Sequence, residues 1–329
     1  MESLRHLNRR TFVGGSLAVA SMPLFAQGDA PYPNRPIRLI VVFPAGGGTD
    51  VAARIVGPKL SDKFGQPVII ENRPGMGGGI GIELVAKSPP DGYTLVLASS
   101  GGLTALPYLY KSLPFNPQKD LEPISTFCVS PLVLVAGPSF QGKNVKDLIS
   151  LAKQQPGKIA FGSGGNGTAP HLAGELFMSM TKTDLLHVPY KGSGPAVVAA
   201  IAGDIPLVFG DMGTVRPHLA SGRLRALGVL GKTRTPIAPE IPTVAQAGVP
   251  GYEVEGWFAV LAPAGTPASV IDKLNPALGS IIGSADVKAR LATAALEPSF
   301  STPGELRRKM VKDSEKWSKL IRENHISAD

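Results

Sequence analysis

Cysteine is almost absent: Cys128 stands alone among 329 residues. That excludes an internal disulfide and any multi-cysteine metal centre. The five histidines, His6, His171, His187, His218 and His325, include no pair four residues apart, so a helical histidine metal site has no support. Past residue 26 no stretch approaches the ~18 consecutive apolar residues of a membrane-spanning helix, and a soluble mature chain is expected. Aromatic residues make up only 6%, and lysine and arginine are spread along the chain rather than interleaved with aromatics on one element. A nucleic-acid partner is therefore not expected. The basic triplet Arg307-Arg308-Lys309 falls on a late helix that also carries acids and reads as a solvated face. Signatures of catalysis are missing too. The first glycine loop is neither G-x-G-x-x-G nor followed by Gly-Lys-Ser/Thr, no G-x-S-x-G elbow occurs, and Gly77-x-Gly79-x-Gly81 lacks the dinucleotide spacing. Neither an enzyme nor a cofactor is expected.

Glycine (39) and proline (31) are by contrast abundant, roughly a fifth of the chain together, which is loop-rich yet below the low-complexity range. Hydrophobic residues at 43% suffice for a packed core. At the N-terminus Arg5, Arg9 and Arg10 precede an apolar run from Phe12 to Phe25, too short to span a bilayer. This is the layout of an export signal over residues 1–26. The string Asn8-Arg9-Arg10-Thr11-Phe12-Val13 looks like a twin-arginine motif, with an ordinary general-secretion signal as the alternative. Cleavage after Ala26 removes three arginines and Glu2, takes the net charge from +8 to +6, and sends the chain to a bacterial periplasm. Positive charge of this size attracts small anions weakly.

Strands and helices alternate along the rest. "IRLIVVF" (37–43) is a continuous apolar run, as a strand buried on both faces requires. Helical spacing follows from Asp50 to Phe64, with Pro58 expected to kink it. Further strands are expected at 67–72, 93–98, 158–162, 185–190, 206–210 and 225–230, with helices near 79–87, from Thr168 to Met180, over 196–202 and in three pieces from about Ser269. Strand–helix alternation at this spacing implies a parallel α/β architecture.

One device occurs twice. "VVFPAGGGTD" (41–50) ends a strand in small residues and opens a helix, and "IAFGSGGNGTAPHLAGELF" (159–177) repeats it. In both, missing side chains leave the backbone N–H groups of a helix start open to approach. Such starts bind anions, because the first N–H groups have no partner inside the helix and the helix dipole adds positive potential.

These stretches, together with "GQPVIIENRPGMGGGIG", "PPDGYTLVLAS", "HVPYKGSGPAVVAAIAGDI", "SGRLRALGV", "IPTVAQAGVPGYEVEGWFAVLAPAGTP" and the tail motifs "STPGEL" and "KWSKLI", resemble the substrate-binding proteins of the tripartite tricarboxylate transporters, the Bug receptors. The resemblance covers essentially the whole mature chain. It implies a two-lobed periplasmic binding protein, α/β, with two crossovers and mainly parallel sheets flanked by helices around an interlobe cleft. Lobe 1 would be 31–131 plus 256–329 and lobe 2 132–255, with crossovers near 130–138 and 255–263. It implies a small organic carboxylate as ligand, permease subunits in the membrane as partners, and a monomer. One departure stands out: "SSGGLTALPYLY" carries Leu106 where the family commonly has asparagine. Gly101-Gly102 are then expected to widen that side of the cleft.

The ligand contacts expected from the residues lie at strand ends. Phe43, Ala45, Gly47 and Gly48 bring bare backbone to the carboxylate, followed by Thr49 and Asp50, the latter either an N-cap or the holder of a water or ligand donor. Opposite stand Ser163, Gly164, Asn166 and Thr168, the last equally an N-cap. Ser99 and Ser100 end a lobe 1 strand, and Asp211 ends one in lobe 2. Lys191 could pair with a carboxylate or be an ordinary surface lysine. No arginine is placed inside the cleft, which favours capture by neutral donors over a salt bridge. A receptor delivering its ligand to a permease is the first reading. A carboxylate sensor docking on a signalling partner is the second, and a hydrolase using Ser163 with His171 or His187 is the third and weakest.

Overall fold

The computed structural model describes residues 32–328, so the expected export signal at 1–26 lies outside it. Ile37–Val41 forms β1, and its apolar side chains are buried on both faces, as the unbroken apolar run requires. The other strands are β2 (Val68–Asn72), β3 (Thr94–Ser99), β4 (Leu121–Ser130), β5 (Leu132–Ala136), β6 (Ala160–Ser163), β7 (Leu186–Pro189), β8 (Leu207–Asp211), β9 (Arg225–Val229), β10 (Gly256–Pro263) and β11 (Glu297–Pro298). They make a six-stranded sheet in the order β11-β4-β10-β3-β1-β2 and a five-stranded sheet in the order β7-β6-β8-β5-β9.

The sheets are mixed rather than mainly parallel. β1 pairs parallel with β2 and β3, and β6 with β7 and β8. β10 runs antiparallel to β3 and β4, and β5 to β8 and β9. The cause is the route of the chain. It leaves the first sheet at Ser130, the end of β4, and enters the second at Leu132, the start of β5. Ser130 pairs with Gly256, Leu132 with Asp211, and Phe258 with Ser99. The entering strands β5 and β10 therefore begin at the end where β3, β4 and β8 finish, and must run against them.

Helices cover the sheets. The helix Gly48–Phe64 continues through Pro58, and helices Val145–Gln154 and Met212–Ala220 join those expected from the sequence. The last helix, Pro303–Glu323, opens on a capping box in which Thr302 and Glu305 satisfy each other's backbone amides. Its Leu306 and Met310 enter a core with Ile40, Val96 and Trp257. Its Trp317, Leu320 and Ile321 enter another core, with Leu172, Phe177 and Tyr252. Among the described residues no helix is long and apolar enough to cross a membrane.

Gly101 does not widen the cleft. A Cβ there would lie 2.3 Å from the Gly167 carbonyl oxygen and 3.0 Å from the Ala169 amide nitrogen, and a Cβ at Gly77 would lie 2.5 Å from the Asn166 carbonyl oxygen. The loop 166–169 after β6 thus meets the first half of the chain backbone to backbone, and only glycine permits that approach. Gly101→Ala should therefore lower stability by ~1–3 kcal/mol, the cost of overpacking a filled site. Urea unfolding checks this, and a wild-type midpoint would mean that the loop yields freely.

Candidate functional site

At the end where the two sheets meet lies a cavity of about 350 Å³. The strand geometry just described brings the ends of β1, β3, β6, β7 and β8 and the starts of β5 and β10 to its wall, through Phe43, Ser99, Gly164, Lys191, Asp211, Leu132 and Phe258. Helices begin there as well. The N-cap residues Gly47, Ser99, Thr168, Gly192 and Asp211 of five helix starts all line it. Only Thr168 caps its own helix, accepting the His171 N–H, and the other four have no side-chain cap. Each longer helix adds roughly half a positive charge at its start. The wall is thus rich in donors without carrying an arginine.

Its electrostatics support an anion. Lys191 and Asp211 are the only ionisable side chains on the wall. Asp211 is occupied on both oxygens, by the hydroxyls of Ser130 at 3.0 Å and Ser193 at 2.6 Å. Burial pushes its carboxyl above the ordinary value, against the pull of those two hydroxyls, so it opposes an incoming anion less than a free carboxylate would. Two buried hydroxyls on the wall, Thr49 Oγ1 and Ser99 Oγ, have no hydrogen-bond partner in the protein. Buried polar groups are normally paired, and these two are the unpaired side-chain oxygens among the wall residues.

Of the residues expected from the sequence, Phe43, Ala45, Gly47, Gly48, Thr49, Ser99, Ser100, Gly164, Thr168 and Asp211 line this cavity. Asp50, Ser163 and Asn166 do not. Asp50 is not the N-cap, a role held by Gly47. Its buried carboxylate instead accepts the Gly46 N–H at 2.9 Å, Arg54 at 2.8 Å and Asn72 at 2.9 Å, closing the glycine loop from behind. Burial alone would raise that carboxyl, but Arg54, the Gly46 amide and Asn72 together hold it below its ordinary value. Ser163 is likewise a strut. Its hydroxyl lies 2.7 Å from His187 Nε2 and accepts the Gly165 N–H at 3.1 Å. His187 stacks on His171, whose Nδ1 accepts the Gly167 N–H at 3.2 Å. Two imidazoles therefore fix the second glycine loop, and the fully buried Ser163 has no access to the cavity. Asn166 faces a neighbouring cavity.

Other wall residues were not anticipated. After Lys191, which the sequence did offer, the strand–glycine–helix device occurs a third time at Gly192-Ser193-Gly194-Pro195, and its glycines and proline were the available signal. Thr214 follows the Asp211 helix start, while Phe258 and Leu132 sit inside apolar strands, where nothing in the sequence marks them as facing a cavity. Gly162-x-Gly164-x-x-Gly167 also carries the spacing of a dinucleotide loop, yet here its glycines serve packing and approach. A Cβ at Gly162 would lie 2.6 Å from Ile205, and Gly165 and Gly167 have φ of +115° and +77°.

A family model described as the tripartite tricarboxylate transporter family receptor matches residues 52–326. The chain belongs to this family. Bordetella pertussis BugT is 39% identical over 316 residues, 94% of this chain and 95% of its own length. Among solved structures, R. palustris Rpa4515 with adipate is 34% identical, with a TM-score of 0.85 over 90% of this chain and 99% of that one. MatC (Rpa3494) from Rhodopseudomonas palustris with bound malate is 28% identical, with a TM-score of 0.82 over 88% and 100%. The two-lobed α/β fold of these receptors is the fold found here. Among the described residues no group of three or more His, Cys, Asp or Glu side chains could hold a metal ion.

The histidine pair has a consequence for this receptor's acid stability. Burial, then the neighbouring His171, lowers the His187 pKa to about 3 from 6.5. Below pH 6.5 the unfolded chain takes up a proton that the native state refuses until about pH 3, so stability falls as pH drops through that window. The loss assigned to His187 should reach up to ~4 kcal/mol by the bottom of the window. Urea unfolding of wild type and His187→Gln at pH 7, 5 and 4 measures it; parallel pH profiles for the two proteins would contradict the assignment.

Proposed function

We propose that this protein is a periplasmic receptor that captures a small organic carboxylate between two lobes and presents it to the membrane permease subunits of a tripartite tricarboxylate transporter. The observation that carries this reading is the convergence of five helix starts, four without side-chain caps, on one cavity whose wall has no free acidic group. A carboxylate supplies the acceptors those amides lack. Family membership and the adipate- and malate-bound relatives support the ligand class.

Residues 31–131 with 256–329 act as one lobe and 132–255 as the other. The ligand-contact set is Phe43, Ala45, Gly47, Gly48, Thr49, Ser99 and Ser100 from the first and Gly164, Thr168, Gly192, Ser193 and Asp211 from the second, with Asp50, Ser163 and Asn166 behind it. Binding follows from these parts. Loop 44–49 offers bare backbone from the first lobe, and the loops at 164–170 and 192–195 offer helix starts from the second. An anion touching both sets is held best when the lobes are together, so it selects the closed arrangement. No bond is made or broken, and release returns the same acid. Export by the N-terminal signal brings the monomeric receptor to the compartment where the permease is met.

Thr49 and Ser99 provide the test. Their hydroxyls have no partner in the protein, and on this reading the carboxylate supplies one. Thr49→Val and Ser99→Ala should leave the unliganded stability unchanged or raise it by up to ~1 kcal/mol, while weakening a bound carboxylate about tenfold each. Calorimetric titration with adipate and malate, beside urea unfolding without ligand, reads both quantities. Failure of both acids to bind, or wild-type affinity in both variants, would contradict the reading.

A further inference from the structure

The first cavity has a neighbour on its Gly164 side. A second cavity, of about 460 Å³, shares Phe43, Pro44, Gly164, Lys191 and Gly192 with it. The two chambers differ in the donors they offer. Both unpartnered buried hydroxyls near the site belong to the wall of the first, and the only other unpartnered buried polar atom among the described residues is on His218, which lines neither cavity. The second is walled by Met76, Tyr110 and Tyr190 with Pro74 and Pro189; Asn166 and the shared Lys191 are its other polar side chains, and it has no acidic residue. No helix of eight or more residues has its N-cap on this chamber except the one beginning after Gly192, which both cavities share. The Met76 side chain is 37% exposed, and an unbranched thioether adapts to irregular apolar shapes.

Resting on the receptor reading above, we propose that the ligand is an amphipathic acid: its carboxylate sits on the helix starts of the first cavity, and an aryl or extended alkyl body passes Phe43 and Gly164 into the second. A four-carbon acid occupies the donor-rich chamber and leaves the other to water. A longer apolar acid fills both, burying its body against two tyrosines, a phenylalanine and a methionine, which are the side chains that grip flat apolar groups best. Lys191, an exposed residue, lines both cavities at their junction.

The test compares butyrate, 4-phenylbutyrate and malate by isothermal titration calorimetry on the wild-type protein and on Met76→Ala and Tyr190→Ala. The phenyl group should tighten binding at least about tenfold over butyrate, from the apolar area it buries. Both substitutions should erase most of that gain and leave butyrate and malate within about twofold of wild type. Met76 is exposed, so its replacement leaves folding intact even if the Tyr190 variant is destabilised. Equal affinity for butyrate and 4-phenylbutyrate, or a gain that survives both substitutions, would overturn the second chamber as a ligand site while malate binding kept the receptor reading standing. Failure of all three acids would instead remove the receptor reading, and this inference with it.

Discussion

The first turn of a helix carries amide donors that the helix itself cannot satisfy, and this protein gathers such turns around one space. Most proteins meet that need with a Ser, Thr, Asp or Asn side chain at the N-cap. Here Gly47 and Gly192 have no side chain to offer, the Ser99 hydroxyl caps nothing, and Asp211 is turned to Ser130 and Ser193. The Met212 amide donates to the Pro131 carbonyl, and the first turns of these four helices receive no side-chain cap. The strand directions, the glycines and the entering strands β5 and β10 all serve to place those turns at one end of two sheets.

Acidic side chains near such a site could undo it, and their treatment is instructive. Asp50 is spent on holding Gly46, Arg54 and Asn72, so its charge is matched inside the loop that it closes. Asp211 stays on the wall, but two hydroxyls occupy its oxygens and burial disfavours its ionised form. Two imidazoles hold the other glycine loop. Positive potential at the cavity therefore comes from oriented backbone and Lys191, with no arginine on the wall.

Much of this was legible in the sequence. The apolar run of β1 and the two glycine loops identify their elements because periodicity and missing side chains are local properties. Strand direction is not local, which is why β5 and β10 turn the sheets mixed although strands and helices alternate as in a parallel fold. Asp50 looked like an N-cap because the true cap, Gly47, lacks a side chain to betray the helix start. Ser163 looked like a ligand contact because its partner, His187, is 24 residues away. The strand before the Gly192 loop was legible at 185–190, but Gly192-Ser193-Gly194 is a shorter glycine run than the other two and did not stand out as a helix start. Gly101 invited the opposite interpretation from its role: an absent side chain can open a space or let another backbone fill it, and only the neighbour decides.

The last helix carries a consequence for how the molecule comes apart. Leu306 and Met310 are anchored beneath one sheet, and Trp317, Leu320 and Ile321 in the core shared with the other. Neither half can lose its packing without stripping apolar surface from a rod that the other half also needs. Melting should therefore be a single cooperative event in which calorimetric and van't Hoff enthalpies agree, although the architecture has two sheets and would otherwise permit two.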